Sequence, residues 1–265
     1  LNAETATLIA HLPTWMVVFM VILCRVAALV ITMPGLNSQS APTRVRAAFA
    51  IGVSFLLFPL LLPRFEGASS DDVLNPARLI VFIASEVICG GLIGWLAQLM
   101  LQSFPVAAQI ISTFIGLSNV LQPDPELGAQ STPLSHVAEL LMTVTVFAAD
   151  LYVLPLHALV GSYDVFPPGH FPLMGDVAHS VTQATGGMFL LAFQLAMPFV
   201  LIGTIWPIML GLLSRFTPGL QVYMLAMPAQ ILGGILLFAL LLGTMLGTWS
   251  NGVDAALQGL PGGGG

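Results

Sequence analysis

Lysine is missing from this chain altogether. All six basic residues are arginine, and twelve acids bring the formal net charge to -6. An acidic balance of this kind argues against nucleic acid as a partner. Charge of either sign is scarce: 7% of the 265 residues carry it, while 57% are hydrophobic. A soluble domain carries about 25% charged residues. With mean hydropathy at +0.97, the chain reads as an integral membrane protein. Cysteine is rare too. Cys24 and Cys89 both sit inside apolar runs, which leaves no disulfide framework or metal-ligand spacing and makes each a small packing residue. There is no phosphate-binding glycine–lysine loop, no HExxH, no GxSxG elbow and no Cys/His cluster. The five histidines are scattered, each read as structural or exposed. No soluble catalytic domain fits between the apolar runs, so neither an enzyme nor a cofactor is expected.

What the chain does contain is apolar runs. A spanning helix needs about 20 mainly apolar residues, because its backbone must satisfy its hydrogen bonds internally. Six runs meet or approach this: 13–33, 47–62, 79–101, 137–160, 186–213 and 220–249. The first lacks a basic leader and contains Arg25, so it reads as a spanning helix rather than a cleaved signal. The second is short, with Pro59 and Pro63 crowding its end. Residues 1–260 are expected to form one helical membrane domain without internal repeats. The glycine-rich tail 261–265 has no core-forming residue and is expected to be disordered.

An even number of crossings puts loops one, three and five on one side and loops two and four on the other. Arg44, Arg46 and Arg215 fall on the first side, Arg64 and Arg78 on the second. Three arginines against two favour termini outside and the first set in the cytoplasm. Arg215 is the only charged residue between Asp176 and Asp254. In mid-helix it would cost about 2.5–3.5 kcal/mol on insertion scales. The sequence "SRFTPG" around it instead reads as a cytoplasmic turn, with Phe216 and Pro218 beside it.

Polar residues inside the runs are the next candidates. Glu139, Asp150 and His157 lie eleven and eighteen residues apart, which on one continuous helix returns each to nearly the same face. Such a face could relay protons, although Glu139 and His157 sit near the ends and only Asp150 is deep. Glu86 lies two turns into its run and reads as interfacial or partner-facing. The glycine pairs 90/94 and 243/247 have the spacing that lets helix backbones approach closely, within the chain or between subunits. Pro105, Pro155, Pro198, Pro207 and Pro228 each remove a backbone donor and favour bent hairpins over straight rods. The third connection, through "FIGLSNVLQPDPELGAQSTP", is too apolar to hang in water; it should lie in protein or line a cavity.

Three stretches together resemble one family. "RVAALVITMPGLNSQSAPTRVRAAFAIGVSFLLFP" is similar to the start of the flagellar biosynthetic protein FliR family: an arginine in the first run (Arg25), a proline (Pro34), then a basic turn opening the second run (Pro42, Arg44, Arg46). "GLSNVLQPDP" resembles that family's G-L-S…D-P loop. "LGLLSRFTPGLQVYMLAMPAQILGGILLF" is similar to its signature turn and following helix. The motifs occur in the family's order across nearly the full chain, and the injectisome homologue SctT shares the pattern.

The resemblance implies an all-α membrane protein of about six apolar helices, folded as bent hairpins within a hetero-oligomeric helical export gate. That gate would be built with FliP-like and FliQ-like subunits, contacted by an FlhB-like subunit, and seated in the bacterial inner membrane at the flagellar basal body. Unfolded flagellar proteins would leave through its channel. Carried over by position, Gly116, Leu117, Ser118, Asn119, Val120, Leu121, Gln122, Pro123, Asp124 and Pro125 would form a plug that helps close the channel. Members of the family often carry bulky aromatics where this chain has Asn119 and Gln122, which implies a more polar plug, sealed by Val120, Leu121 and neighbouring subunits. Around Asp150, "ADLYVL" replaces an asparagine–glycine–histidine run, so no family role passes to Asp150. An injectisome subunit and a secondary transporter using the Asp150 face are the alternatives; the transporter would need inverted repeats, and none is evident.

Overall fold

The structure is a computed structural model that describes residues 3–33, 42–65, 76–120, 132–216 and 222–263, with side chains described except at 3–11, 119–120 and 222–225. Among the described residues there are helices and turns and no strand. In chain order the helices are α1 (Ala3–Thr32), α2 (Thr43–Leu61, continued by a 3-10 turn over Leu62–Phe65), α3 (Pro76–Leu101), α4 (Ser103–Phe114), the short α5 (Leu117–Val120), α6 (Pro133–Ala148), α7 (Val153–Val165), α8 (Met174–Phe216) and α9 (Val222–Gln258). Five stretches are long and apolar enough to cross a membrane, and six if α6 and α7 count as one broken span. This is an all-α membrane protein.

Among the described helices, two are far longer than a crossing requires. Helix α8 has 43 residues and α9 has 37. At 1.5 Å per residue these are roughly 65 and 55 Å long, against a hydrocarbon core of about 30 Å. They extend well beyond the apolar runs read from the sequence, because their ends are polar enough to leave hydrocarbon yet still helical.

The chain divides into two compact units. The first gathers Leu1–Leu99, Tyr152–Ala184 and Ala256–Gly265. Its core is easiest to see on α1, where Val18, Val21, Ile22, Arg25, Val26, Leu29, Val30 and Met33 are all buried. That spacing of three and four residues is one helical stripe, and Arg25 lies in the middle of it. Helix α3 answers with Ser85, Glu86, Cys89, Ile93, Leu96 and Ala97. Phe19 of α1 meets Phe58 of α2 edge-on, with ring centroids 6.0 Å apart. Arg64, after α2, pairs with Asp164 near the end of α7, which agrees with loops two and four sharing a side. The end of the chain also belongs here. Leu257 and Leu260 are buried, and Gly262 (φ +89°) lies directly against the backbone of Gly161 and Ser162. Two glycines facing each other allow that approach, so the tail packs on α7 at Gly262, while Gly263 lies against the carbonyls of Leu257, Gln258 and Leu260. Gly264 and Gly265 lie outside the described residues.

The second unit gathers Met100–Leu151 and Thr185–Ala255. Helices α4 and α6 form a hairpin that buries Phe104, Ala107, Ala108 and Ile111 from one arm and Ala138, Met142 and Val146 from the other. Helix α6 starts with a reciprocal cap. The Thr132 hydroxyl accepts from the Ser135 N–H, the Ser135 hydroxyl accepts from the Thr132 N–H at 2.9 Å, and Pro133 occupies the first turn. From α9, the buried Trp249 donates its indole N–H to Ser103 Oγ at 3.0 Å, and its ring packs 5.6 Å from Phe104.

The prolines divide into two kinds. Pro105 and Pro155 fall in the first turns of α4 and α7, where the missing N–H has no helical partner to lose. They begin helices rather than bend them. Pro198 and Pro207 lie inside α8, and Pro228 lies inside α9.

Candidate functional site

The most polar place in the first unit is buried. Arg25 and Glu86 both have fully buried side chains. Arg25 Nε donates to Glu86 Oε2 at 2.6 Å and Nη2 to Oε1 at 2.9 Å, a two-pronged fork. Two more of its N–H groups are used: Nη1 donates to Ser162 Oγ at 3.0 Å and Nη2 to the Phe166 carbonyl at 3.1 Å. The guanidinium lies 3.8 Å from the centre of the Tyr163 ring. One cation thus ties together α1, α3, α7 and the residue after α7. Charge-assisted, bidentate bonds of this kind are the strong ones, and they are needed here, because a lone charge in hydrocarbon is expensive.

This arrangement corrects the sequence reading of Glu86. It is neither interfacial nor directed at a partner; it is the counter-ion of Arg25. The signal was present as one cation and one anion in separate apolar runs, each on the helical stripe that its own run buries. Hydropathy treats the two as isolated costs, and only their pairing removes that cost.

Asp150 also differs from expectation. Helix α6 stops at Ala148 and α7 starts at Val153, with Asp150 between them in the left-handed region at φ 54°. The helical period therefore does not carry from Glu139 to His157, and the three residues share no continuous helical face. Asp150 is exposed rather than buried within this chain, as is Glu139.

In the second unit the end of α4 adjoins a mostly apolar cavity of about 310 Å3, lined among others by Phe114, Phe199, Gly203, Trp206, Gln230 and Gly234. Gln230 Nε2 donates at 3.0 Å to the Phe114 carbonyl, which the helix end would otherwise leave unpaired. Gly203 and Gly234 have no room for a side chain; a Cβ would press on Phe114 and Ile115, respectively. Immediately after this anchored end the chain turns at Gly116, with φ +83°, a conformation that glycine adopts without strain. Leu117, Ser118, Asn119 and Val120 make the short helix α5. Leu121, Gln122, Pro123, Asp124 and Pro125 lie outside the described residues.

The basic turn residues are at helix ends. Pro42 precedes α2 with φ -56°, Arg44 is exposed and Arg46 half-buried in its first turn. Arg215 and Phe216 are exposed in the last turn of α8, where a cation suits the negative end of the helix dipole. Pro218 lies outside the described residues. Among the described residues no group of three or more His, Cys, Asp or Glu could hold a metal ion.

Large apolar side chains remain exposed along both long helices, among them Leu201, Ile205, Ile208 and Leu212 on α8 and Leu232, Leu236 and Leu240 on α9. Their helices, their interior charge pair and these uncovered faces define a class: an integral membrane protein whose apolar surface is completed by lipid or other chains. A model of the family described as "Bacterial export proteins, family 1" matches residues 16–256. The chain belongs to that family. It is similar to the flagellar biosynthetic protein FliR of Caulobacter vibrioides, 30% identical over 236 residues, covering 87% of this chain and 90% of the relative. It is similar to FliR of Escherichia coli at 26% over 230 residues, covering 86% and 85%. It also resembles Yop proteins translocation protein T of Yersinia pestis, 28% identical over 155 residues, covering 57% and 59%.

Proposed function

We propose that this chain is a channel-forming subunit of a flagellar type III export gate in the bacterial inner membrane, passing unfolded flagellar proteins outward. The observation that carries this reading is the similarity to FliR, which extends over 87% of the chain and 90% of the Caulobacter relative. The injectisome branch is the second reading, and the shorter match to the Yersinia protein, 57% of the chain, favours it less. The role is one of architecture and conduction, without catalysis.

Its partners in this reading are FliP-like, FliQ-like and FlhB-like subunits, membrane lipid and the unfolded substrates. The exposed apolar faces of α8 and α9 suit packing against other helices, and helices about twice the hydrocarbon thickness suit an assembly raised partly out of the bilayer. The Gly116–Pro125 loop acts as the plug. Its support is the anchored end of α4 and the left-handed turn at Gly116, which together end that helix where the loop begins. The turns carrying Arg44, Arg46 and Arg215 face the cytoplasm. Deletion of the gene followed by complementation tests the flagellar branch. Secretion of flagellin and hook protein should disappear and return with the intact chain, and normal flagellar secretion in the deletion strain would reject it.

A further inference from the structure

We infer that the Arg25–Glu86 fork is a register key that sets how far α1 and α3 are displaced along one another. Apolar helices in lipid have no hydrophobic drive to associate, and smooth apolar faces can slide. What resists sliding here lies on a single stripe of α3. Glu86, Gly90 and Gly94 recur every four residues. Glu86 takes the Arg25 fork. Gly90 lies directly under the Arg25 carbonyl, and Gly94 lies under Thr32 Oγ1 and the Leu29 carbonyl. The glycine notch permits the close approach, and the charge pair fixes which turn of α3 takes it.

The nearest competing register is one turn away, about 5.4 Å. In that register the fork is lost and two charges stand unpaired in an apolar interior. The Ser162 and Phe166 acceptors on and after α7 are lost to Arg25 as well. Breaking a buried ion pair is costly enough to disfavour the slipped state by on the order of a hundredfold. Replacing both partners with apolar residues removes that penalty from every register alike. The pair then contributes specificity of alignment more than strength of association.

The test uses the full chain in its native membrane, with a diazirine-bearing residue in place of Thr32 and the crosslinked position on α3 mapped by mass spectrometry. In the parent, crosslinks should fall at Gly94 at least tenfold over positions one turn away, Gly90 and Gln98. The double variant Arg25→Leu/Glu86→Leu should accumulate in the membrane within about twofold of the parent, yet its preference for Gly94 should fall below threefold. A double variant that keeps the tenfold preference overturns the proposal. Arg25→Lys preserves the charge and loses the fork, so it asks the same question without removing the ion pair. Because slipping would still break an ion pair, its Gly94 preference should stay above threefold, and a fall to the level of the double variant overturns the proposal.

Discussion

Two adjacent glycines on α3 should respond to alanine in opposite directions. At Gly90 an added Cβ would run into the Arg25 carbonyl oxygen and sit 2.9 and 3.0 Å from the Arg25 carbonyl carbon and Cα. All three atoms are backbone, so α1 must move as a body, against the fork that holds Arg25 to Glu86. Overpacking of this kind costs about 1–3 kcal/mol. The gain in helix propensity from glycine to alanine returns about 0.8–1 kcal/mol. The net is a loss of up to about 2 kcal/mol. At Gly91 nothing lies within 4 Å of the same Cβ, so the propensity gain of about 0.8–1 kcal/mol stands alone. The propensity gain is common to both, so the neighbours should differ by the overpacking cost, about 1–3 kcal/mol. With about 2–4 °C per kcal/mol for a chain of this size, the separation in apparent Tm should be roughly 2–12 °C. Detergent-solubilised chain, heated and assayed by fluorescence-detected size exclusion, would show Gly90→Ala below the parent and Gly91→Ala at or above it. If the two variants melted within about 1 °C of each other, the close crossing of α1 and α3 would be wrong.

Three further substitutions follow from the same geometry. Asp150→Gly should stabilise by about 0.5–1 kcal/mol, since φ 54° strains an L residue, and Asp150→Asn should leave flagellar secretion unchanged, since Glu139, Asp150 and His157 share no continuous helix; a secretion defect in Asp150→Asn would revive the relay. Trp249→Phe should cost about 1–2 kcal/mol from the lost bond to Ser103 and the lost ring volume. Ser103→Ala should cost about 1–3 kcal/mol by leaving the indole N–H unsatisfied, and the double variant should lose less than the sum, as a thermal-melt cycle would reveal. Arg215→Ala should lower the yield of assembled gate about two- to threefold while leaving insertion intact, measured by blue-native electrophoresis; full assembly would reduce Arg215 to a topological marker.

The helices of this protein could be read from hydropathy because nearly every apolar run is a helix. Their ends could not. Polar caps such as Thr132 with Ser135, and the amphiphilic extensions of α8 and α9, do not register in a measure of apolar length. The break at 149–152 escaped for a related reason: "FAADLYVLP" is apolar enough to pass as helix, and the left-handed Asp150 that ends α6 leaves no mark in composition. Pro155 was the clue, since a proline is accommodated most readily in the first turn of a new helix. The buried centre was half visible. Arg25 stood out as a feature of the resemblance, and Glu86 stood out as a charge in an apolar run, but pairing residues 61 positions apart requires knowing which stripe each helix buries. The glycines show the same limit. The 90/94 pair is a backbone crossing, whereas Gly243 and Gly247 would have nothing within 4 Å of an added Cβ, and the sequence spacing is identical in both.

The central claim is that this chain works as a gate subunit and not alone. Its most direct measurement is purification of the tagged full chain, expressed at native level, in mild detergent, with the associated proteins identified by mass spectrometry and the particle mass determined. The account predicts a hetero-oligomer containing FliP-like and FliQ-like subunits in fixed ratio, with little free chain. A stable, functional monomer with no such subunits attached would contradict it.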